Sequence, residues 1–117
     1  MPRLNMNGPY RLTVEKIDEV VTRESPGNYA LGRVDKNSFI VSYVGRSDDD
    51  LNGRLKYWVG KKYKHFKFSY ATSRKAAFEK ECKNFHDFGE LEKLDNEHHP
   101  DRPDGTDWQC PVCDVFG

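Results

Sequence analysis

Asn28-Tyr29-Ala30-Leu31-Gly32-Arg33-Val34, then Asp35-Lys36-Asn37, then Ser38-Phe39-Ile40-Val41-Ser42-Tyr43-Val44 is the stretch that decides the fold. Two runs rich in β-branched and aromatic residues flank a short polar turn, which predicts a β-hairpin. On its N-terminal side, Arg11 to Arg23 sets Leu12, Val14, Ile17, Val20 and Val21 at helical spacing, with Thr13 as cap. Ser25-Pro26-Gly27 breaks the chain before the hairpin. On its C-terminal side, Ser47-Asp48-Asp49-Asp50 places acids where a helix dipole is positive. Leu51, Leu55 and Trp58 share one face of that helix, and Gly60 ends it. Phe66, Phe68 and Tyr70 alternate along His65 to Tyr70, a third strand. Ser73 caps a further helix to about Phe85, with Ala77, Phe78, Cys82 and Phe85 as its apolar stripe. After Gly89 the chain turns rich in Asp, Pro and Gly and needs an anchor.

The expected fold is α/β, a small three-stranded antiparallel sheet flanked by helices. The 117 residues fit one domain. Within it, residues 1–25 form an N-terminal helical extension, 26–100 the core, and 101–117 a metal-tethered tail. Aromatic residues at 13% argue against a disordered chain. No apolar run approaches a membrane span, and Met1-Pro2-Arg3-Leu4-Asn5 does not open a signal peptide. The expected setting is the cytoplasm, without a membrane, and the expected state is a monomer.

Net charge is zero, but the charge is unevenly spread. From Arg54 to Lys83 ten Lys/Arg face two acids; from Asp87 to Asp107 eight acids face two bases. The first segment offers a basic face for phosphates, and Lys56, Lys61, Lys62 and Lys64 within it, with Arg46 before it, are candidate DNA contacts. The plainer reading of such a run is a solvated surface.

Three cysteines in a reducing compartment do not suggest disulfides. Cys110-Pro-Val-Cys113 supplies two thiolates from one turn, and Cys82 and His86 share a helix face. Together they make a Cys₃His set for a structural Zn²⁺, with His98 or His99 as alternative fourth ligand. The competing reading is a buried Cys82 and an unligated cysteine pair.

Gly27-Asn28-Tyr29 on the first strand, Tyr43-Val44-Gly45 on the second, Arg54 on the next helix, Glu81 on the helix after the third strand, and Asn96 beyond form an ordered series. In that order and spacing the chain resembles the GIY-YIG nucleases over residues 26–100. Asn28 stands where that family usually has an apolar residue. The resemblance implies an active site of Tyr29, Tyr43, Arg54, Glu81 and Asn96, and an endonuclease that hydrolyses DNA with Mg²⁺ or Mn²⁺. Glu81 is a hard oxygen ligand for such an ion. Arg54 can fork onto phosphate oxygens. Tyr29, or else Tyr43, would orient the attacking water or accept its proton. Asn96 would support the network by hydrogen bonds. Glu79 competes with Glu81, and Asp95 with Asn96. Tyr29 and Tyr43 could also be plain strand aromatics. A partner protein would supply specificity. The alternative function is a non-catalytic zinc module on a degenerate fold of this type, binding nucleic acid or protein.

Overall fold

The computed structural model describes residues 4–96, 99–103 and 105–113. Its elements are β1 (Asn7–Arg11), α1 (Val14–Val20), β2 (Gly27–Asp35), β3 (Ser38–Ser47), α2 (Leu51–Tyr57), β4 (His65–Tyr70), α3 (Arg74–Asp87) and α4 (Glu90–Lys93).

The sheet has four antiparallel strands in the order β1-β4-β2-β3, not three. The expected N-terminal helical extension therefore holds a strand as well as a helix. β1 is short, mostly exposed, and carries Pro9. It sits at the sheet edge, where a missing N–H is tolerated. It has no apolar alternation to betray it.

The hairpin forms as expected. Lys36 and Asn37 both take positive φ (50° and 66°) between the paired Asp35 and Ser38, a two-residue turn whose twist suits paired strands. The caps also follow the sequence. The Thr13, Asp50 and Ser73 side chains accept from the amides of Lys16, Gly53 and Ala76, each satisfying one orphan donor.

β2 is one of the two inner strands and is buried on both faces along residues 27–32. Tyr29 and Leu31 face α1 and α2, in a core with Ile17, Leu51, Leu55 and Phe66. Ala30 faces the opposite layer with Val44, Phe85 and Leu94. A bulge lies between Leu31 and Gly32, since Leu31 pairs with Tyr43 but Gly32 with Val41. Ser42 is the extra residue, and it reverses the facing of β3 on its two sides. Tyr43 thus joins the α2 layer, while Phe39 and Val41 join the α3 layer.

Beyond α4 the chain returns to the open edge of β3. The Asp95 amide donates to the Ser42 carbonyl at 2.6 Å. The Asn96 side chain accepts from the Val44 amide (3.1 Å) and donates to the Val44 carbonyl (2.8 Å). This covers backbone groups that an edge strand would otherwise expose.

Candidate active groove and adjoining metal centre

Four of the five predicted active-site residues, each on a different element, converge along the β3 edge. One hollow of about 430 Å³ is lined by Tyr29, Tyr43, Arg46, Asp48, Arg54 and Glu81. It shares Tyr43, Arg54, Glu81 and Asp101 with a longer groove of about 680 Å³, which reaches Asn96 and His99. The two form one continuous cleft.

Tyr29 is fully buried up to its hydroxyl. That oxygen accepts from Trp58 Nε1 at 3.0 Å. Gly45 lies directly opposite Tyr29 in the hairpin register, and a Cβ there would meet the Tyr29 ring at 2.4 Å. The glycine of Tyr43-Val44-Gly45 is thus required by the tyrosine of the neighbouring strand. Burial pushes the Tyr29 phenol up, against the pull of the Arg54 guanidinium. It stays protonated near neutral pH, so its hydroxyl is a hydrogen-bond donor rather than a proton acceptor.

Arg54 is exposed on α2, beside the Tyr29 hydroxyl and 5.4 Å from the Tyr57 ring centroid. Its guanidinium lines both the hollow and the longer groove, with five N–H donors in a planar fork. Glu81 is 8% exposed. Burial pushes its carboxyl up to about 7, with Arg46 pulling the other way. Glu79, its rival in sequence, lines a different hollow beside Lys80 and Lys83. The carboxylates of Glu81, Asp48 and Asp101 line the same hollow, but among the described residues they do not draw together into a metal-holding group as the His/Cys set does.

Arg46 is the residue whose role changes most. Its guanidinium reaches Glu81 Oε1 at 2.6 Å and Asp48 Oδ1 at 2.9 Å. It is bound within the site instead of facing outward as a DNA contact. Lys56 pairs with Asp18 at 2.6 Å. Lys64 lines a separate hollow with Arg11 and His65. Lys61 and Lys62 do line the groove, Lys62 with Asp95 as ion-pair partner.

Asn96 lies at the groove, but both ends of its amide are engaged by Val44. It braces β3 between Tyr43 and Gly45. Asp95 instead takes a hydrogen bond from the Tyr63 hydroxyl at 3.0 Å. Asn28, the departure from the family pattern, is fully buried. Its amide donates to the Ala77 carbonyl at 2.8 Å, pinning the sheet to the turn of α3 that precedes Glu81.

Beside the groove, His86, His99, Cys110 and Cys113 bring four ligand atoms within 4.8 Å of one another. The two Nε2 atoms lie 3.2 Å apart. Cys110 Sγ is 3.5 Å from His86 Nε2, and Cys113 Sγ 3.4 Å from His99 Nε2. A tetrahedral Zn²⁺ with Zn–N of about 2.0–2.1 Å and Zn–S of about 2.3 Å has edges of about 3.3 Å (N–N) and about 3.6 Å (N–S). Three of the cluster's six edges thus have tetrahedral lengths, and all lie within 4.8 Å. The outward ring nitrogens are also held: His86 Nδ1 by the Glu90 carboxylate at 2.7 Å, His99 Nδ1 by the Pro100 carbonyl at 2.8 Å. Metal-bound imidazoles need that orientation. The backbone amides of Val112 and Cys113 hold the Cys110 thiol down at about 6, although burial opposes them. A thiolate is what a metal requires.

The set that fits zinc is therefore Cys₂His₂ rather than the expected Cys₃His. Cys82 sits fully buried with Phe78 against Cys110. Burial and the Cys110 sulfur push its thiol up, so it stands behind the ligand as a protonated donor. One helical turn, about 6 Å, separates it from His86. His99, an open alternative in the sequence, completes the set together with His86. His98 lies outside the described residues. Among the described residues no helix is long and apolar enough to cross a membrane.

Sequence reasoning missed Trp58 as the partner of Tyr29, Arg46 as the partner of Glu81, and Asp101 as a groove carboxylate. Trp58 carried one signal, its place on the Leu51/Leu55 stripe. Compared with family models, with curated proteins and with solved structures, the chain matches none.

Proposed function

We propose that this protein is a metal-dependent endonuclease that hydrolyses DNA phosphodiester bonds, with a structural zinc beside its active groove. The observation that carries the reading is the convergence of Tyr29, Tyr43, Arg54 and Glu81, from β2, β3, α2 and α3, on one cleft. Residues scattered over the sequence meet there in the combination that phosphodiester hydrolysis needs.

Glu81 would hold a Mg²⁺ or Mn²⁺ ion, with Asp48 or Asp101 able to contribute through water. When bound, such an ion supplies Lewis-acid polarisation of the phosphate and lowers the pKa of its water. Arg54 then forks onto the non-bridging oxygens and stabilises charge as it develops. The neutral Tyr29 hydroxyl, its oxygen anchored by Trp58, orients water or phosphate through its proton. Tyr43, packed against Trp58 at 4.8 Å, shapes the wall and is the second candidate for that role. Lys61 and Lys62 guide the backbone of DNA into the groove. A Zn²⁺ held by His86, His99, Cys110 and Cys113 would tie the segment carrying His99 and Asp101 against the site. Cysteines that would serve as zinc thiolates suit a reducing compartment such as the cytoplasm.

The test is supercoiled plasmid with and without Mg²⁺ or Mn²⁺, with Glu81→Gln alongside. Nicking that needs both the ion and Glu81 supports the proposal. Equal nicking by Glu81→Gln refutes it.

One observation favours the alternative, a non-catalytic zinc module that binds nucleic acid or protein. Arg46 already neutralises Glu81, which places a cationic side chain at the carboxylate a metal would use. That reading predicts salt-sensitive binding without Mg²⁺-dependent cleavage. Cutting that is lost with Arg54→Ala excludes it.

A further inference from the structure

Beyond Arg54 the groove becomes an aromatic platform that phosphodiester hydrolysis does not itself need. Tyr57 is 58% exposed, and no other aromatic among the described residues is exposed to this degree. Its ring is bracketed by cations, with Lys61 Nζ at 4.6 Å and the Arg54 guanidinium at 5.4 Å from its centroid. Trp58 meets it edge-on at 5.3 Å. Trp58 in turn packs on Tyr43 and Tyr63, at 4.8 and 5.7 Å. All four rings line the larger groove, yet of the four only Tyr43 lines the hollow that holds Tyr29. The platform therefore extends away from the reacting centre.

We infer that this platform takes an unpaired nucleobase of the strand being cut, so that the substrate is DNA carrying unpaired bases next to the scissile phosphate. The inference rests on the nuclease reading of the cleft and names its substrate class. Exposed aromatic rings interleaved with Lys and Arg are the surface on which single-stranded bases stack, because every base has a π-face and every step a phosphate. The spacing fits one nucleotide. Arg54 and Tyr57 are three apart on α2, hence neighbours about 5–6 Å apart at Cβ. A phosphate on Arg54 therefore leaves its base beside Tyr57. A base inside a duplex is stacked between its neighbours and cannot reach a ring on the protein unless it is unpaired or extruded. A volume of about 680 Å³ lies within the roughly 300–1,000 Å³ of ligand clefts. A core role for Tyr57 would bury the ring, and a purely electrostatic face would need no ring at all.

The test uses two duplexes of one sequence, one with a single bulged 2-aminopurine and one with that base paired. Binding is measured in buffer without Mg²⁺, Mn²⁺ or chelator, so zinc is retained and no cutting occurs. The protein should bind the bulged duplex more tightly and quench the 2-aminopurine. Tyr57→Ala should weaken bulge binding by about 5- to 100-fold, with paired-duplex binding unchanged, and Tyr57→Phe should retain it. Tyr57 is exposed, so neither variant threatens the fold. Equal affinity for the two duplexes overturns the inference, as does a Tyr57→Ala loss that is the same for both. Plasmid nicking scored in parallel separates the two readings. Metal-dependent cutting without bulge preference sinks only this inference, whereas bulge stacking without cutting sinks the nuclease reading and leaves a binding platform.

Discussion

Gly45→Ala probes the site geometry most directly. The new Cβ would lie 2.4 Å from both Cζ and the hydroxyl oxygen of Tyr29, and 2.9 Å from Cε1. Carbon atoms are comfortable at about 3.5–4.0 Å, so the ring must move by about 1 Å or more. It has nowhere easy to go, since Tyr29 is 1% exposed and its hydroxyl is held by Trp58. Overpacking of this kind costs about 1–3 kcal/mol. Loss of the Trp58 hydrogen bond adds about 0.5–1.5 kcal/mol. An unfolding entropy of about 2.1 cal/mol/K per residue makes each kcal/mol worth about 4 °C for a chain of this length. The expected fall in Tm is therefore about 6–18 °C, read by circular dichroism. Plasmid nicking should fall further, because a displaced phenol no longer meets the phosphate. The same substitution in a Tyr29→Leu background should cost far less, since the clashing ring is gone. A change in Tm within measurement error, or an equal cost in both backgrounds, would refute the placement of Tyr29 against Gly45.

Three further predictions follow from the same structure. Glu81 has its folded carboxyl raised to about 7 from 4.5, so the native state keeps a proton that the unfolded chain releases. Its contribution is complete below about pH 4.5 and is lost as pH rises to about 7, up to roughly 3 kcal/mol. Glu81→Gln should therefore show a flatter Tm-versus-pH curve across that window, and cleavage by the wild type should rise through about pH 7 as the carboxylate forms. Asn28 holds one good hydrogen bond but leaves its buried Oδ1 without a partner. Asn28→Leu should accordingly change stability by less than about 1 kcal/mol, whereas Asn28→Ala should cost about 2 kcal/mol by adding a void. Purified protein should carry one zinc per chain by elemental analysis. Cys110→Ser should lose it, with hydrogen exchange rising first across residues 99–103 and 105–113, and nicking should fall even with Mg²⁺ present, because His99 and Asp101 line the groove. Cys82→Ser should keep the zinc, in contrast to a Cys₃His site.

Much of this protein follows from interactions between near neighbours in the chain. The hairpin at Asp35-Lys36-Asn37-Ser38, the caps at Thr13, Asp50 and Ser73, and the stripes on α2 and α3 depend on turn chemistry, orphan amides and periodicity. Those forces act within a few residues, so they are legible without the fold. The ordered series of Tyr29, Tyr43, Arg54 and Glu81 was legible for the same reason, each residue having a definite place on a recognisable element. What the tertiary structure alone decided involves partners far apart in sequence. β1 has no pattern of its own and exists because β4 offers an edge. The bulge at Ser42 becomes visible only when β3 is laid against β2. Arg46 looked like a surface cation until α3 brought Glu81 to it, 35 residues away in sequence. Asn96 was read as a polar site residue, but the edge of β3 claimed its amide. Cys82 and His99 exchanged places because helical spacing sets which residues share a face but not how deep each is buried. The core took the thiol, and the returning chain delivered the imidazole.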